Sequence, residues 1–365
     1  MEVTKYGLNI PEDLATWYQW QQNADSVRRL KGMARNLPTI VTGLVSGSGA
    51  PDEEELVSGV LHIRGCEPQV LVVLDSTSPT TMSSLVRPLE FLTDLPMAVF
   101  APQDVSDCLP GQGWTTQTIV EAELSELCTV QQVLAVGHYL PLGAAAYRFA
   151  RQQKATYLVV QHGLITPYAP PLPANCTLLA FSDDDARFWI SGRSDVDYRV
   201  VGSQLFYDAA QKAPQVAQQS LQDRPVFLGQ MHGAELPRSS FVRAGYTFCR
   251  QHGAPYRPHP GEKDKLSVLT HRLWAKMGIE IDSGHQPLNT LNSPVVSVFS
   301  TGVLEAAIRG VPAWVYHPHP PQWLQDFWER YGMSPWGSEP TPAPQLPSRE
   351  PAETIAHILT QSLEN

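Results

Sequence analysis

Charge is scarce in this sequence, paired cysteine is missing, and no long apolar run occurs. Charged residues make up 17% of the 365 and hydrophobic residues 42%. A disordered chain needs the opposite balance, so order is expected nearly throughout. The cysteines, Cys66, Cys108, Cys128, Cys176 and Cys249, are scattered and never form a CxxC pair. That spacing argues against a disulfide framework and a zinc ribbon, leaving reduced thiols. Lys and Arg number 26 against 36 Asp and Glu, a formal net charge of -10. Nucleic acid is therefore not an expected partner, and any phosphate site has to be local. No run is long enough to span a bilayer and no segment near the N-terminus reads as a leader, so the expected location is the cytoplasm. No repeat at a fixed period is visible.

What the sequence does contain is a succession of short Val, Leu and Ile runs in a chain long enough for two domains. Apolar residues recur at helical spacing from Glu12 to about Arg35, through Leu14, Trp17, Tyr18, Val27, Leu30 and Met33. Six runs then read as strands, starting at Val70, Pro96, Val133, Tyr157, Thr177 and Tyr198. Apolar runs without polar alternation imply strands covered on both faces, hence a parallel sheet between helices. Residues 206–224 turn to Gln, Ala, Asp and Pro and are expected to link to a second domain. Strands there start at Val226, Pro255, Ile279, Val295 and Ala313, with helices over Leu236–His252 and Lys265–Met277. The expected architecture is α/β, with a Rossmann-like domain over 1–205, a linker over 206–224 and a second Rossmann-like domain over 225–334. A Pro-rich crossing segment and a last helix over 335–365 are expected to pack back on the first domain. Two such domains would face one another across a cleft lined by strand C-terminal ends.

The strongest chemical signal is VVSVFSTGVLEAAIRGVPAWVY. Ser300, Thr301 and Gly302 fall where a helix starts, with unpaired N–H groups and a positive dipole end, a setting that suits a diphosphate. Glu305 lies one turn from Thr301, about 5.4 Å along the helix, within reach of ribose hydroxyls. Against this stands the plainer account of Ser300 as a cap and Glu305 as a solvated side chain. The second signal is YRPHPGEKD, where Pro258 and Pro260 stiffen the backbone around His259 and Arg257 adds positive charge. Its plainer account is a rigid surface turn.

The RPHP loop, the strand ending in Ser-Thr, the Glu one turn later and the following GVP strand resemble the donor half of GT-B glycosyltransferases. They are most similar to bacterial capsule and polysialic acid transferases and to CDP-glycerol glycerophosphotransferases of teichoic acid synthesis. The motifs span roughly His162 to Tyr316; before Tyr157 the likeness is architectural. The resemblance implies donor-phosphate binding by His259, Ser300 and Thr301, with Arg257 and Gly302 beside them, and ribose binding by Glu305. QHGLITPYAPP resembles the His-Gly segment of these families, which implies His162 as the base that deprotonates an acceptor hydroxyl.

His138 and Asp75 also follow apolar strands and are the other candidates for the catalytic base, although a strand-end Asp is more often a helix cap. Gly47, Ser48 and Gly49 form a glycine-rich loop without Walker or GxGxxG spacing, expected near donor or acceptor. Asp183, Asp184 and Asp185 precede a helix and read as caps, and HPHPP lacks a ligand set, so no metal site is expected. The aromatic stripe Trp323, Phe327, Trp328 and Tyr331 reads as core.

The resemblance implies no cofactor, the nucleotide-sugar being a substrate, CMP-, UDP- or CDP-linked. Its implied acceptor is a saccharide or lipid-linked hydroxyl in cell-surface polysaccharide or glycolipid synthesis, and lipid-linked acceptors would bring the protein to the inner face of the membrane. Three alternatives stay open: transfer of a polyol phosphate from a CDP donor, 2-epimerisation of the sugar nucleotide, and a non-catalytic nucleotide-binding protein.

Overall fold

The computed structural model describes residues 7–24, 57–217, 224–231, 233–282, 288–361 and 363. Contacts divide the chain into two compact units, one containing Phe206–Gln345 and the other Thr42–Leu205 with Leu346–Asn365 and Tyr6–Tyr18. Helix α1 is described over Leu14–Ala24. The remainder of the expected first helix, and the Gly47, Ser48, Gly49 loop, lie outside the described residues.

The Thr42–Leu205 unit is built on an eight-stranded sheet. Its strands are β1 (Ser58–Arg64), β2 (Val70–Val73), β3 (Met97–Ala101), β4 (Trp114–Val120), β5 (Gln132–Ala135), β6 (Thr156–Val160), β7 (Thr177–Ala180) and β8 (Asp197–Val200). Their order is β4-β1-β3-β2-β5-β6-β7-β8, and every neighbour pair from β3 to β8 is parallel. The expected all-parallel sheet needs correction at one edge, where β1 runs antiparallel to both β3 and β4. Strand β4 went unread because its sequence, WTTQTIV, buries only Ile119. An edge strand facing water carries no apolar run.

Along β2 the side chains alternate between two cores. Leu71 and Val73 join Ala145, Ala146 and Phe149 of helix α2 (Pro141–Gln153) and Trp189 of helix α3 (Asp183–Ile190). Val70 and Val72 join Leu85 and Leu89 on the other face. Ile355, Ala356 and Leu359 of the last helix, Pro351–Gln361, complete that second core. Ser182 Oγ accepts the Asp185 N–H at 3.1 Å, so the Asp183–Asp185 run occupies a capped first turn.

Residues 206–217, in the segment expected to link the domains, continue helix α4 (Gln204–Ala217). The Phe206–Gln345 unit holds parallel strands β9 (Val226–Leu228), β10 (Tyr256–Arg257), β11 (Val295–Ser297) and β12 (Ala313–Val315) in the order β10-β9-β11-β12. Single-residue parallel bridges extend it, Ile281 beside Tyr256 and Pro335 beside Val315. With these the order is that of a Rossmann sheet, 3-2-1-4-5-6, and it reverses between β9 and β11. Helices α5 (Arg238–His252), α6 (Lys265–Lys276), α7 (Thr301–Ile308) and α8 (Gln322–Arg330) belong to the same unit. Trp323, Phe327 and Trp328 of α8 are buried core. No helix among the described residues is long and apolar enough to cross a membrane.

The last helix is expected to be integral to its unit. Leu359→Ala, at a fully buried position, should cost about 2 to 5 kcal/mol in urea unfolding. A cost near that of a surface substitution would show that the helix contributes nothing to this core.

Candidate functional site

In the Phe206–Gln345 unit the C-terminal ends of β9, β10 and β11 share one edge, because Arg257 and Ser297 are both in register with Leu228. The loops that follow β10 and β11 therefore start about 10 Å apart, two strand spacings. Ser300 caps α7, its Oγ accepting the Gly302 N–H at 3.2 Å. A Cβ on Gly302 would meet Leu228 Cδ1 at 2.8 Å and Leu288 Cδ2 at 2.9 Å, so this turn packs closely onto the β9 end. The turn is held by Gln230, a residue sequence reasoning missed. Gln230 Oε1 accepts from Ser297 Oγ at 3.0 Å and from the Phe299 N–H at 2.9 Å.

His259 is exposed between its two prolines. Its Nδ1 accepts the Gly261 N–H at 3.0 Å, so the neutral ring carries its proton on Nε2, as a donor to an anion. Partial desolvation lowers the pKa of His259. The loop is pinned by Glu262, a residue sequence reasoning did not single out. Its carboxylate is buried and accepts from Tyr256 Oη at 3.1 Å, the Met231 N–H at 2.9 Å and His271 Nε2 at 2.9 Å. Arg257 is already engaged with Asp282 at 3.3 Å.

Glu305 is buried, not solvated. Desolvation raises its pKa, opposed by a hydrogen bond from the Thr301 side chain and by the charge of Arg309. Arg309 is buried too, and donates to the carbonyls of Leu291 at 3.0 Å and Leu288 at 3.1 Å.

The remaining candidates belong to the other unit. Asp75, two residues past the buried end of β2, accepts the Leu142 N–H at 2.9 Å and the Gly143 N–H at 3.1 Å. It caps α2, and burial pushes its pKa up to about 6 against those two bonds. Gly143 is required here, since a Cβ would lie 2.2 Å from the Gly137 carbonyl. His138 follows β5 and packs edge-on to Tyr147 at 5.2 Å. Burial, with the charge of Arg193, brings its pKa down to about 4. His162 follows β6, and desolvation lowers its pKa. In both imidazoles Nδ1 is buried without a hydrogen-bond partner among the described residues. The adjacent Gln161 is fully buried and fixes the segment, donating to the Gly163 carbonyl at 2.9 Å and accepting the Phe181 N–H at 2.8 Å.

No family model matches the chain, and no curated protein sequence does. Solved structures do resemble it. The UDP-GlcNAc 2-epimerase of Methanocaldococcus jannaschii, in complex with UDP-GlcNAc and UDP, is 14% identical with a TM-score of 0.52, over 80% of this chain and 99% of that one. A second structure of the epimerase from that organism is 13% identical with a TM-score of 0.45, over the same shares, 80% and 99%. The chain thus has a GT-B-like two-domain α/β fold.

The depressed His138 gives a pH signature. Folded, its ring takes a proton only near pH 4; unfolded, it does so near pH 6.5. Between these values the unfolded state binds the extra proton, so this contribution to stability is complete above the upper value and is lost as pH falls through the window. Asp75, with its raised pKa, acts in the opposite sense and is unchanged in the comparison. His138→Asn should therefore lose less stability than wild type between about pH 7 and about pH 4.5 in urea melts. An equal loss would mean that the ring is not desolvated.

Proposed function

We propose that the chain is a nucleotide-sugar enzyme whose donor diphosphate binds at the C-terminal edge of β9–β11, against the Ser300–Gly302 turn, with His259 on the flanking loop. The observation that carries this is the strand-order reversal between β9 and β11 with a capped helix start at it. Open α/β sheets bind ligands at such a reversal, and helix N–H groups there favour phosphate. His259 supplies an Nε2–H donor, and Glu305 a buried carboxylate whose spare acceptor capacity suits ribose hydroxyls. Arg257, held by Asp282, contributes positive charge from behind the loop.

The reaction we favour is transfer of the sugar to a hydroxyl acceptor of cell-surface polysaccharide or glycolipid, by direct displacement at the anomeric carbon and without a metal. His162 takes the acceptor proton, and the helix start with His259 stabilises charge on the leaving phosphate. A buried imidazole nitrogen with no hydrogen-bond partner among the described residues supports a role for His162 beyond packing. His138 shares that feature, and burial lowers the pKa of both rings, so what favours His162 is the resemblance of its His-Gly segment. Asp75 is the third candidate, with both oxygens already used at α2. The second reading, 2-epimerisation of the sugar nucleotide, is favoured by the fold shared with the archaeal epimerase. Incubation with donor alone separates the two, since epimerisation needs no acceptor and releases no nucleotide.

Two outcomes test this reading. Calorimetric titration with UDP, CDP and CMP should find binding that His259→Ala weakens about tenfold, the size of one hydrogen bond to a charged group. Unchanged affinity for every nucleotide would remove His259 from the site. With a turnover assay in hand, His162→Ala should lower kcat about 100-fold to 10,000-fold while nucleotide affinity holds. A dead His138→Ala beside an active His162→Ala would exchange the two roles.

A further inference from the structure

Strand β4 ends the eight-stranded sheet, with β1 on one side and no strand among the described residues on the other. Its pairing with β1 runs in unbroken register from Trp114 to Val120, without a bulge. The Glu121 N–H donates to the Val57 carbonyl at 2.8 Å, which fixes the phase of the ladder. Thr115, Gln117 and Ile119 therefore turn their backbone groups toward β1, and Trp114, Thr116, Thr118 and Val120 turn theirs away from it. The Val120 N–H is taken by Glu123 Oε2 at 2.7 Å. The outward N–H and C=O groups of Thr116 and Thr118 have no partner among the described residues, and both residues are exposed.

Folded chains blunt such an edge with charge, proline or a bulge. The other sheet edges follow that rule. Strand β8 carries Asp197 and Arg199. In the other unit the outermost paired residues are Ile281, between Glu280 and Asp282, and Pro335, which has no N–H to offer. Strand β4, WTTQTIV, has none of these devices, and apart from Gln117 it consists of strand-forming residues.

Its side chains fit a second copy of the same strand. In an antiparallel pairing about a two-fold axis at Gln117, Thr116 comes opposite Thr118 of the partner subunit and the pair exchanges both backbone bonds. Trp114 comes opposite Val120 of the partner subunit on the same sheet face, an aromatic beside a β-branched residue, which pair favourably. Val120 is 36% exposed and so has apolar surface for the ring to cover. The ring is already held in place, with the Arg64 guanidinium 4.8 Å from its centroid and Nε1 donating to the Pro110 carbonyl at 3.0 Å.

No charge lies within β4, so no like charges meet along it. Glu121, the first acid beyond it, comes opposite Gly113 of the partner subunit and is paired with Arg148 at 2.6 Å. Asp104 lies to the side of the strand, bound by Ser106 Oγ at 2.6 Å, and Ser106 Oγ meets Thr116 Oγ1 at 3.2 Å on the sheet face. A parallel, in-register pairing would instead set Glu121 against its own copy and separate Trp114 from Val120. We propose that β4 is an interface between two copies of this chain, joined edge to edge and antiparallel about Gln117 into one continuous sheet. The interface uses no residue of the nucleotide site and stands or falls without it.

The test is sedimentation equilibrium of the full chain. At about 100 μM it should be mostly dimeric, since that concentration populates a complex with a Kd of about 10 μM. Gln117→Lys places like charges directly opposite one another at the axis and should raise the dimer Kd about tenfold or more, and Gln117→Glu should do the same. Mixed in equal amounts, the two variants should dimerise again, because the mixed pair sets opposite charges there. Gln117 is exposed and its side chain has no hydrogen bond among the described residues, so both variants are expected to fold, which thermal melts check. Nucleotide titration of both should match wild type, which keeps a failure here distinct from a failure of the donor site. A wild-type chain that stays monomeric overturns the proposal and leaves the edge to a strand of another protein. A dimer that Gln117→Lys leaves intact overturns it as well, by placing the contact elsewhere, and so does a mixture of the two variants that remains monomeric.

Discussion

A parallel strand buried on both faces delivers its chain to the sheet edge with backbone groups that the ladder no longer pairs, and under cover those groups need side-chain partners. In this protein the partner is repeatedly a polar side chain one or two residues past the strand. Asp75 after β2 takes two N–H groups of α2. Gln161 after β6 joins Gly163 to Phe181. Gln230 after β9 holds the turn that follows β11. Glu262, five residues past β10, binds that loop back to Met231.

The candidate site depends on these fastenings. The Ser300–Gly302 turn presents helix N–H groups because Gln230 fixes where the chain leaves β11, and His259 presents Nε2 because Gly261 and Glu262 hold its loop. A buried amide or carboxylate left without partners is costly, so each fastening is also a rigid constraint on the loop above it. Rigidity of this kind is what a site that works by positioning and electrostatics requires.

The same constraint separates the candidate carboxylates by role. Asp75 and Glu262 spend their acceptors on the protein's own donors. Glu305 shares its carboxylate with Thr301 and faces the charge of Arg309, a buried neighbour that itself serves two carbonyls. The imidazoles of His138 and His162 differ from all three in keeping a buried nitrogen with no partner among the described residues.

Local pattern was enough to locate the parallel strands, helices α5 and α6, the Ser300 cap and the buried face of α8, because each is written in contiguous residues; at α3 the cap is Ser182, with the expected Asp183–Asp185 in the first turn. The fold class followed, since continuous apolar runs are compatible with little else. Strand β4 was illegible for the converse reason: an edge strand facing water has no apolar run to show, whereas β1, paired on both sides, breaks its apolar run with Gly59, His62 and Arg64. The partners of Gln230, Glu262 and Arg257 lie 6 to 69 positions away in sequence, so only the tertiary structure could separate a fastening residue from a solvated one. It also decided that Glu305 is buried and that Asp75 caps a helix. Sequence spacing sets which face of an element a residue occupies, but what packs against that face is decided by chain folded back from far away.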